Sequence, residues 1–386
     1  MKKRNKRKKI KRELIIVLLC VLSAIAGFYI QRKKNFVNEV VKVEYKTVNT
    51  EVVNKASIVM VGDALMHMAV NNSYKTSSGY NYTNMFKYIK PIVSEYDLAY
   101  YNQETILGGT SLGLSGYPQF NSPQEVGDAF IDAGFNLVSL ATNHTMDNYY
   151  KTNGKSIANS TKYWKDHSDK VYSAGSYASQ EERDEVIVKE INGIKYGFLS
   201  YTEQTNGISV PSGKSYVANV YSNDKAKKDI EKYKEKADVI IVAMHWGEEY
   251  THTPTTSEKE KAKYLASLGV NLIIGCHPHV VQPMTYIGDT LVVYSLGNFV
   301  SNQDGIDRLT GLMASANIVK RTFHGKTTIK LEEPTAEFIY TRKSEKHMVY
   351  PYSKLNNSLL SNYKTYYDKH KKIVTSMSDK IKVKEI

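Results

Sequence analysis

This sequence predicts an α/β fold behind an N-terminal membrane helix, and three observations predict it. From Ala56 onward, short apolar runs rich in β-branched residues alternate with stretches of helical spacing. Ahead of them, a basic head leads into an uninterrupted apolar run. Six of the later apolar runs end on Asp, Glu, Asn or His. Open α/β sheets carry their ligands at the carboxyl ends of their strands.

The 386 residues suffice for one large domain with appendages, and 41% hydrophobic with 24% charged residues is an ordinary globular balance. The net charge of +13 is local: residues 1–34 hold twelve Lys or Arg and one Glu. The other 352 residues hold 40 basic and 38 acidic groups. A nucleic-acid-binding domain keeps its positive charge on the fold itself, so that class is excluded. The two cysteines, Cys20 and Cys276, cannot make a disulfide framework or a cysteine-rich structural zinc site.

Residues 1–13 read as a basic cytoplasmic segment and residues 14–30 as a transmembrane anchor without a charge. Basic residues before such a span hold the N-terminus inside, so the rest of the chain faces outward. Ala24-Ile25-Ala26 resembles a signal-peptidase site, but the apolar residues 27–30 continue past it, which favours an uncleaved anchor. Residues 31–55 read as a polar linker, a stalk or a first edge strand.

Within residues 56–343, the run from Ser57 ends on Asp63, and residues 84–96 have helical spacing. A strand from Asp97 leads to Asn102 and Glu104. Ser122-Pro123-Gln124-Glu125 reads as a capping box with Pro at the first helical position, and the helix it starts stops at Gly134. A strand from Phe135 leads into Asn143-His144. Residues 193–201 form a strand, residues 223–236 a charged outer helix, and residues 237–244 a strand running into His245. Ser257 with Glu260 caps the next helix, which ends at Gly269. The run that follows meets Gly275-Cys276-His277-Pro278-His279, where Pro278 stiffens the spacing of two imidazoles. Residues 290–298 are one more apolar run ending in Gly297-Asn298. Residues 309–320 and 327–340 read as antiparallel strands. Residues 344–386 read as a peripheral helix or a partly disordered tail.

Carboxylate, imidazole and amide oxygen together suit a divalent transition metal, Mn, Fe or Zn, bound as one or two ions. A shared carboxylate between two ions would stabilise both the attacking and the leaving oxygen. Taken singly, Asp147, Glu248, Glu249, Gln282 and Asn298 read as structural or surface residues. Asp63, Asn143, His245, His277 and His279 gain weight as ligands from their joint pattern. Residues 108–121 read as a substrate wall with Tyr117 and Phe120 or, equally, as a flexible surface loop.

In the segments around Asp63 and His67, Asn102 and Glu104, Asn143 to Asp147, His245 to Glu249, His277 to Gln282, and Tyr294 to Asn298, the chain resembles the CapA family of capsule (poly-γ-glutamate) synthesis proteins. That family is related to the calcineurin-like metallophosphoesterases. The resemblance covers about residues 56–300 and implies a four-layer αββα sandwich with a metal site. It implies Asp63 and His279 on a first ion, Glu104 as the bridge, and Asn143, His245 and His277 on a second. His144 would be the acid that stabilises the transition state, oriented by Asp147. Leu65 and Glu104 stand where the phosphoesterase pattern has His and Asp. His67, Glu248 and Asn298 remain further candidates, His67 as a substitute for the missing His.

The expected function is capsule biosynthesis or export by a membrane-anchored, outward-facing protein with a metal-dependent hydrolase site. The expected partners are the membrane and either the capsule polymer or membrane subunits of a polymer synthase. A non-catalytic scaffold for such a synthase, and a metallophosphatase acting on another cell-surface substrate, are the alternatives.

Overall fold

The computed structural model describes residues 2–46 and 50–386, with side chains for 10–35, 50–344 and 346–386. It divides into two units: one holds the N-terminal helix, and the other holds residues 53–321 and 328–386. In the first, helix α1 spans Lys2–Lys46. Within it, Ile10–Asn35 is apolar enough to cross a membrane, with mean hydropathy 2.5 and none of it buried. The helix therefore outruns residues 14–30 and takes in most of the expected linker. Residues 31–46 contain neither Gly nor Pro, so nothing local stops it. Residues 47–49 of the expected linker lie outside the described residues.

In the second unit, β1 (Val52–Ala64) is followed by α2 (Met68–Ser73) and a small hairpin, β2 (Lys75–Thr76) with β3 (Gly79–Tyr80). Then come α3 (Lys90–Val93), β4 (Leu98–Asn102), α4 (Glu125–Asp132), β5 (Leu137–Ser139), α5 (Lys155–Asp166), β6 (Tyr172–Ala174) and α6 (Gln180–Asp184). The next stretch holds β7 (Val188–Ile191), β8 (Ile194–Thr202), α7 (Asn223–Tyr233), β9 (Val239–His245), α8 (Thr256–Ser267), β10 (Leu272–Cys276), β11 (Met284–Ile287) and β12 (Thr290–Val293). It is followed by β13 (Asn298–Val300), α9 (Ile306–Leu309), β14 (Thr310–Phe323), β15 (Lys326–Arg342), β16 (Met348–Pro351), α10 (Tyr363–Val374) and β17 (Lys382–Val383).

The strands form two large sheets. One has the order β16-β15-β14-β1-β4-β5-β6, with β13 beside β1 and β17 beside β15; the other has the order β11-β12-β10-β9-β8-β7. The site-bearing strands β1, β4 and β5 are parallel to one another, as are β8, β9, β10 and β12. Alternation along each strand assigns the faces. Ile58, Met60 and Tyr100 of the first sheet pack with Phe198, Ile241 and Ile274 of the second. Val59, Val61 and Tyr101 face the other way, onto Phe130 of α4 and Trp164 of α5. Ile240 and Val242 face outward onto Ile230 of α7 and Leu265 of α8. The result is the four-layer αββα sandwich.

Several local expectations are corrected. Residues 84–96 are broken into a 3-10 turn, Thr83–Phe86, and the short α3, because Pro91 lacks the N–H that a continuous helix would use. The Ser122 capping box does not form: its hydroxyl pairs with Thr105 at 3.0 Å, and Gln124 begins α4 without a side-chain cap. The cap of α8 is Thr255 with Glu258, not Ser257 with Glu260. The tail is not peripheral. Tyr352, Leu355, Leu360, Tyr367, Val374 and Ile381 are buried in the core between the sheets, and β16 and β17 extend the first sheet along β15. Its apolar residues are spaced irregularly, so their burial is visible only with the sheet beneath them.

Close backbone approach fixes one glycine. A Cβ at Gly62 would lie 1.7 Å from the carbonyl oxygen of Gly297, beside the bulge that sets Asp63. Gly62→Ala is expected to lower stability by about 3 kcal/mol, read as a drop in the thermal midpoint; an unchanged midpoint would contradict the packing.

Acid should loosen the domain through His347. Burial pushes this imidazole down to about 4, and Lys343 and His67 act in the same direction. Its ring is held between Ser73 Oγ at 2.8 Å and Asn302 Oδ1 at 2.8 Å. Between its ordinary 6.5 and about 4, the unfolded chain binds a proton that the folded chain refuses. Stability is therefore expected to fall as pH drops through that window, by at most about 1.4 kcal/mol per pH unit from this residue. His347→Gln should flatten the acid limb in denaturant titrations, and an identical limb in both proteins would refute the assignment.

Candidate metal centre

The carboxyl ends of strands from both sheets meet at one edge of the sandwich. Register does this: Asp63 lies level with Asn102 and Asn298 in the first sheet. His245 lies level with Cys276, the residue before His277, in the second. Asn143 and His144 sit on the turn after β5. His277 and His279 flank Pro278 with φ of +99° and +58°. A left-handed backbone at two non-glycine residues costs about 1–3 kcal/mol each, and such strain collects at functional sites. The backbone N–H of His277 donates to Asp63 Oδ2 at 3.2 Å, which fixes the loop on β1.

Asp63, Glu104 and His279 form one buried group whose ligand atoms all lie within 4.8 Å of one another; Glu104, His245 and His277 form a second. Glu104 belongs to both. It is 1% exposed, and neither carboxylate oxygen has a hydrogen-bond partner. A buried carboxylate without donors is costly unless a cation meets it. Around His245, the Nε2 atom faces Asn143 Oδ1 at 2.9 Å and His277 Nδ1 at 3.2 Å. Two facing imidazole nitrogens share at most one proton, so lone pairs converge there. The donor set of two carboxylates, three imidazoles and one amide oxygen fits a divalent transition metal.

The electrostatics fit the same account. Burial pushes the Glu104 carboxyl well above its usual range, with Asp63 adding to the rise and His279 opposing it. Burial disfavours charge on His279, but Glu104 and Asp63 outweigh it and raise the imidazole to about 9. Burial drives His245 well below its ordinary value and His277 down to about 4. The metal-free cluster thus holds one buried positive charge among its carboxylates, and two neutral imidazoles ready to ligate.

His144 stands beside this cluster. Its Nδ1 meets Asp147 Oδ2 at 2.7 Å, and the same oxygen accepts from the Phe120 backbone N–H at 2.6 Å. Burial raises the Asp147 carboxyl, against the hydrogen bond and charge of His144. Phe120 packs edge-on to His144 at 4.7 Å and to His67 at 5.3 Å. The open side is a cavity of about 340 Å³ lined by Tyr117, Gln119, Asn143, His144, Asn206 and Glu249.

The structure separates the further candidates. Asn298 is buried and its Oδ1 accepts from His279 Nδ1–H at 3.0 Å, so it orients a ligand. His67 joins neither ligand group; its Nδ1 meets Leu65 O at 3.1 Å and the Asn302 backbone N–H at 3.3 Å. Leu65 is buried apolar core. Glu248 is exposed and away from the centre, whereas its neighbour Glu249 reaches His277 and His279. Gly247, at φ +86°, turns the chain there, which the sequence alone does not resolve.

Two contributors were missed by the sequence reading. Asn102 donates through Nδ2 to Asp63 Oδ1 at 2.8 Å and meets His245 Nδ1 at 3.3 Å. Its place at a strand end next to Glu104 was the available signal. Asn206, at φ +51°, accepts from Asn143 Nδ2 at 3.2 Å and lies 3.4 Å from His144 Nδ1. By taking the amide nitrogen it turns the Asn143 oxygen toward His245. Its loop carries no motif, so nothing local marks it.

The chain matches the family model of the bacterial capsule synthesis protein PGA_cap over residues 57–303. It is 26% identical over 271 residues to the PGA biosynthesis protein CapA of Bacillus subtilis (strain 168), covering 68% of this chain and 67% of that one. It is 25% identical over 315 residues to the capsule biosynthesis protein CapA of Bacillus anthracis, covering 78% and 71%. Among solved structures, the NAD nucleotidase of Haemophilus influenzae is similar with a TM-score of 0.42 and 12% identity; the match covers 86% of this chain and 57% of that one.

Proposed function

This chain belongs to the bacterial capsule synthesis protein (PGA_cap) family, and from that premise we propose that it is a membrane-anchored, outward-facing protein of poly-γ-glutamate capsule biosynthesis or export with a metal-dependent hydrolase site. The observation that carries the hydrolase reading is Glu104: a fully buried carboxylate without a hydrogen-bond donor, shared by two sets of ligand atoms. Anchoring rests on the apolar stretch Ile10–Asn35 and on the basic residues before it, which favour a cytoplasmic N-terminus.

In this reading Asp63, Glu104 and His279 hold one divalent ion, and Glu104, Asn143, His245 and His277 hold another. Bound ions would supply Lewis-acid polarisation of the scissile phosphoester or amide. The protein's own groups do the rest. Asp147 holds the His144 ring by Nδ1, which leaves Nε2 free to deliver a proton to a leaving group. Phe120 closes one side of that ring and keeps water from it. Asn206 and Asn298 hold the ligating faces of Asn143 and His279 in place.

Full-length protein purified in detergent is expected to carry at least one transition-metal ion per chain. Folded protein that takes up none of Mn, Fe or Zn would end the hydrolase reading. In cells, a His277→Ala, His279→Ala double variant is expected to lose polymer. Normal polymer from a variant present at wild-type level would leave a holding role among the synthase subunits.

A further inference from the structure

We propose that a lysine- and tyrosine-lined groove beside α5 is a second binding site, taking the carboxylate-bearing chain of an anionic polymer. This rests on the reading of the chain as a capsule polymer protein, but its ligand chemistry comes from the groove. The groove has a volume of about 370 Å³, in the range of ligand sites. Lys155, Lys162, Lys165 and Lys214 line it, with Tyr149 and Tyr216 as walls; the only acid on its lining is Glu182.

Charge is what sets this surface apart. Outside the N-terminal head the chain is nearly neutral, so four lysines facing one glutamate make a local positive field. Lys165 is paired with Glu182 at 2.5 Å, and Lys162 with Asp166 at 2.5 Å. Lys155 makes no ion pair and Lys214 makes only a 3.5 Å hydrogen bond to Tyr149, among the described residues. These two ammonium groups are the free ones, and compact, well-hydrated ammonium groups suit carboxylates met one at a time.

Connectivity ties the groove to the metal centre. Residues 143–157 begin at Asn143 and His144 in the catalytic cavity and end at Lys155 and Ile157 in the groove. Residues 206–217 repeat this, from Asn206 and Ile208 to Lys214, Tyr216 and Val217. The two segments pack on each other through Met146, Ile157, Val217, Tyr149, Ile208 and Tyr216. A chain held in the groove is therefore held at the far end of the same two segments that present His144 and Asn206. A polymer anchored there would be offered to the cavity repeatedly, as in any bivalent contact.

The test is binding of a fluorescently labelled γ-linked glutamate oligomer to the full-length protein in neutral detergent, read by anisotropy without added metal. Lys155→Glu/Lys214→Glu is expected to weaken binding about tenfold, and added salt to weaken wild-type binding. Both residues are exposed, so the thermal midpoint and the metal content should stay at wild-type values. Lys227→Glu/Lys228→Glu on α7 should bind as wild type. Equal binding by the groove variant, or an equal loss in the α7 variant, overturns the site. Tighter binding of inorganic polyphosphate than of the glutamate oligomer at the same lysines overturns its assignment to carboxylates. Metal uptake tests the hydrolase reading separately, so either can fail without the other.

Discussion

Glu104→Gln is expected to lose bound metal while making the metal-free protein more stable. The two effects have one origin. The carboxyl group is buried and accepts no hydrogen bond, and burial raises its pKa well above the usual range, against the charge of His279 at 3.6 Å. A group whose folded-state pKa is raised contributes stability that is fully present below its unfolded value and is lost as pH rises. At neutral pH burial of this carboxyl therefore costs the metal-free protein stability, whether it keeps its proton or loses it, and glutamine removes that cost with nearly the same shape. Glutamine offers no anion to either ligand group, so metal affinity should fall by at least about 100-fold, more than the loss typical of an outer-shell contact. Calorimetric metal titration and denaturant melts with chelator read the two sides. Unchanged metal affinity would mean that Glu104 is not the shared ligand. A metal-free variant less stable than wild type would mean that attraction to His279 outweighs the cost of burying the carboxyl.

His144→Ala is expected to leave metal content unchanged and to lower turnover by about 10²–10⁴-fold, the range for loss of a positioned proton donor. The ring lies outside both ligand groups, and its Nδ1 is taken by Asp147. Asp147→Asn keeps the ring but loses the anion that selects its tautomer, so it should fall between wild type and His144→Ala. A changed metal stoichiometry in His144→Ala would make the residue a ligand. An equal loss of turnover in His144→Ala with an activated leaving group and with a poor one would remove the proton-donor role, since a donor matters most where the leaving group is poor.

The layer structure was legible in the sequence because burial follows a local period. Ile58, Val59, Met60 and Val61 alternate between the two sides of the first sheet, as Ile240 to Ala243 do in the second. The same locality explains the errors. The Ser122 and Ser257 caps are good motifs, yet Thr105 and Thr255 decide the outcome, one by taking the hydroxyl across the fold and the other by starting the helix earlier. The tail has weak helical spacing because its buried residues answer to the sheet, not to a helix face.

The sequence by itself determined which residues stand at the strand ends: Asp63, Glu104, Asn143, His245, His277 and His279. It also determined the basic head and the apolar span, because composition and period are properties of neighbours along the chain. Only the tertiary structure decided that Glu104 serves both ligand groups, that Glu249 and not Glu248 reaches the histidines, and that Asn102, Asn206 and Asn298 hold the site. It also decided that Lys214 joins three lysines of α5 in one groove. These depend on sheet order, strand register and the turn each loop takes, which bring together residues as far apart as Ser73 and His347, 274 positions along the chain. No local period records such a distance.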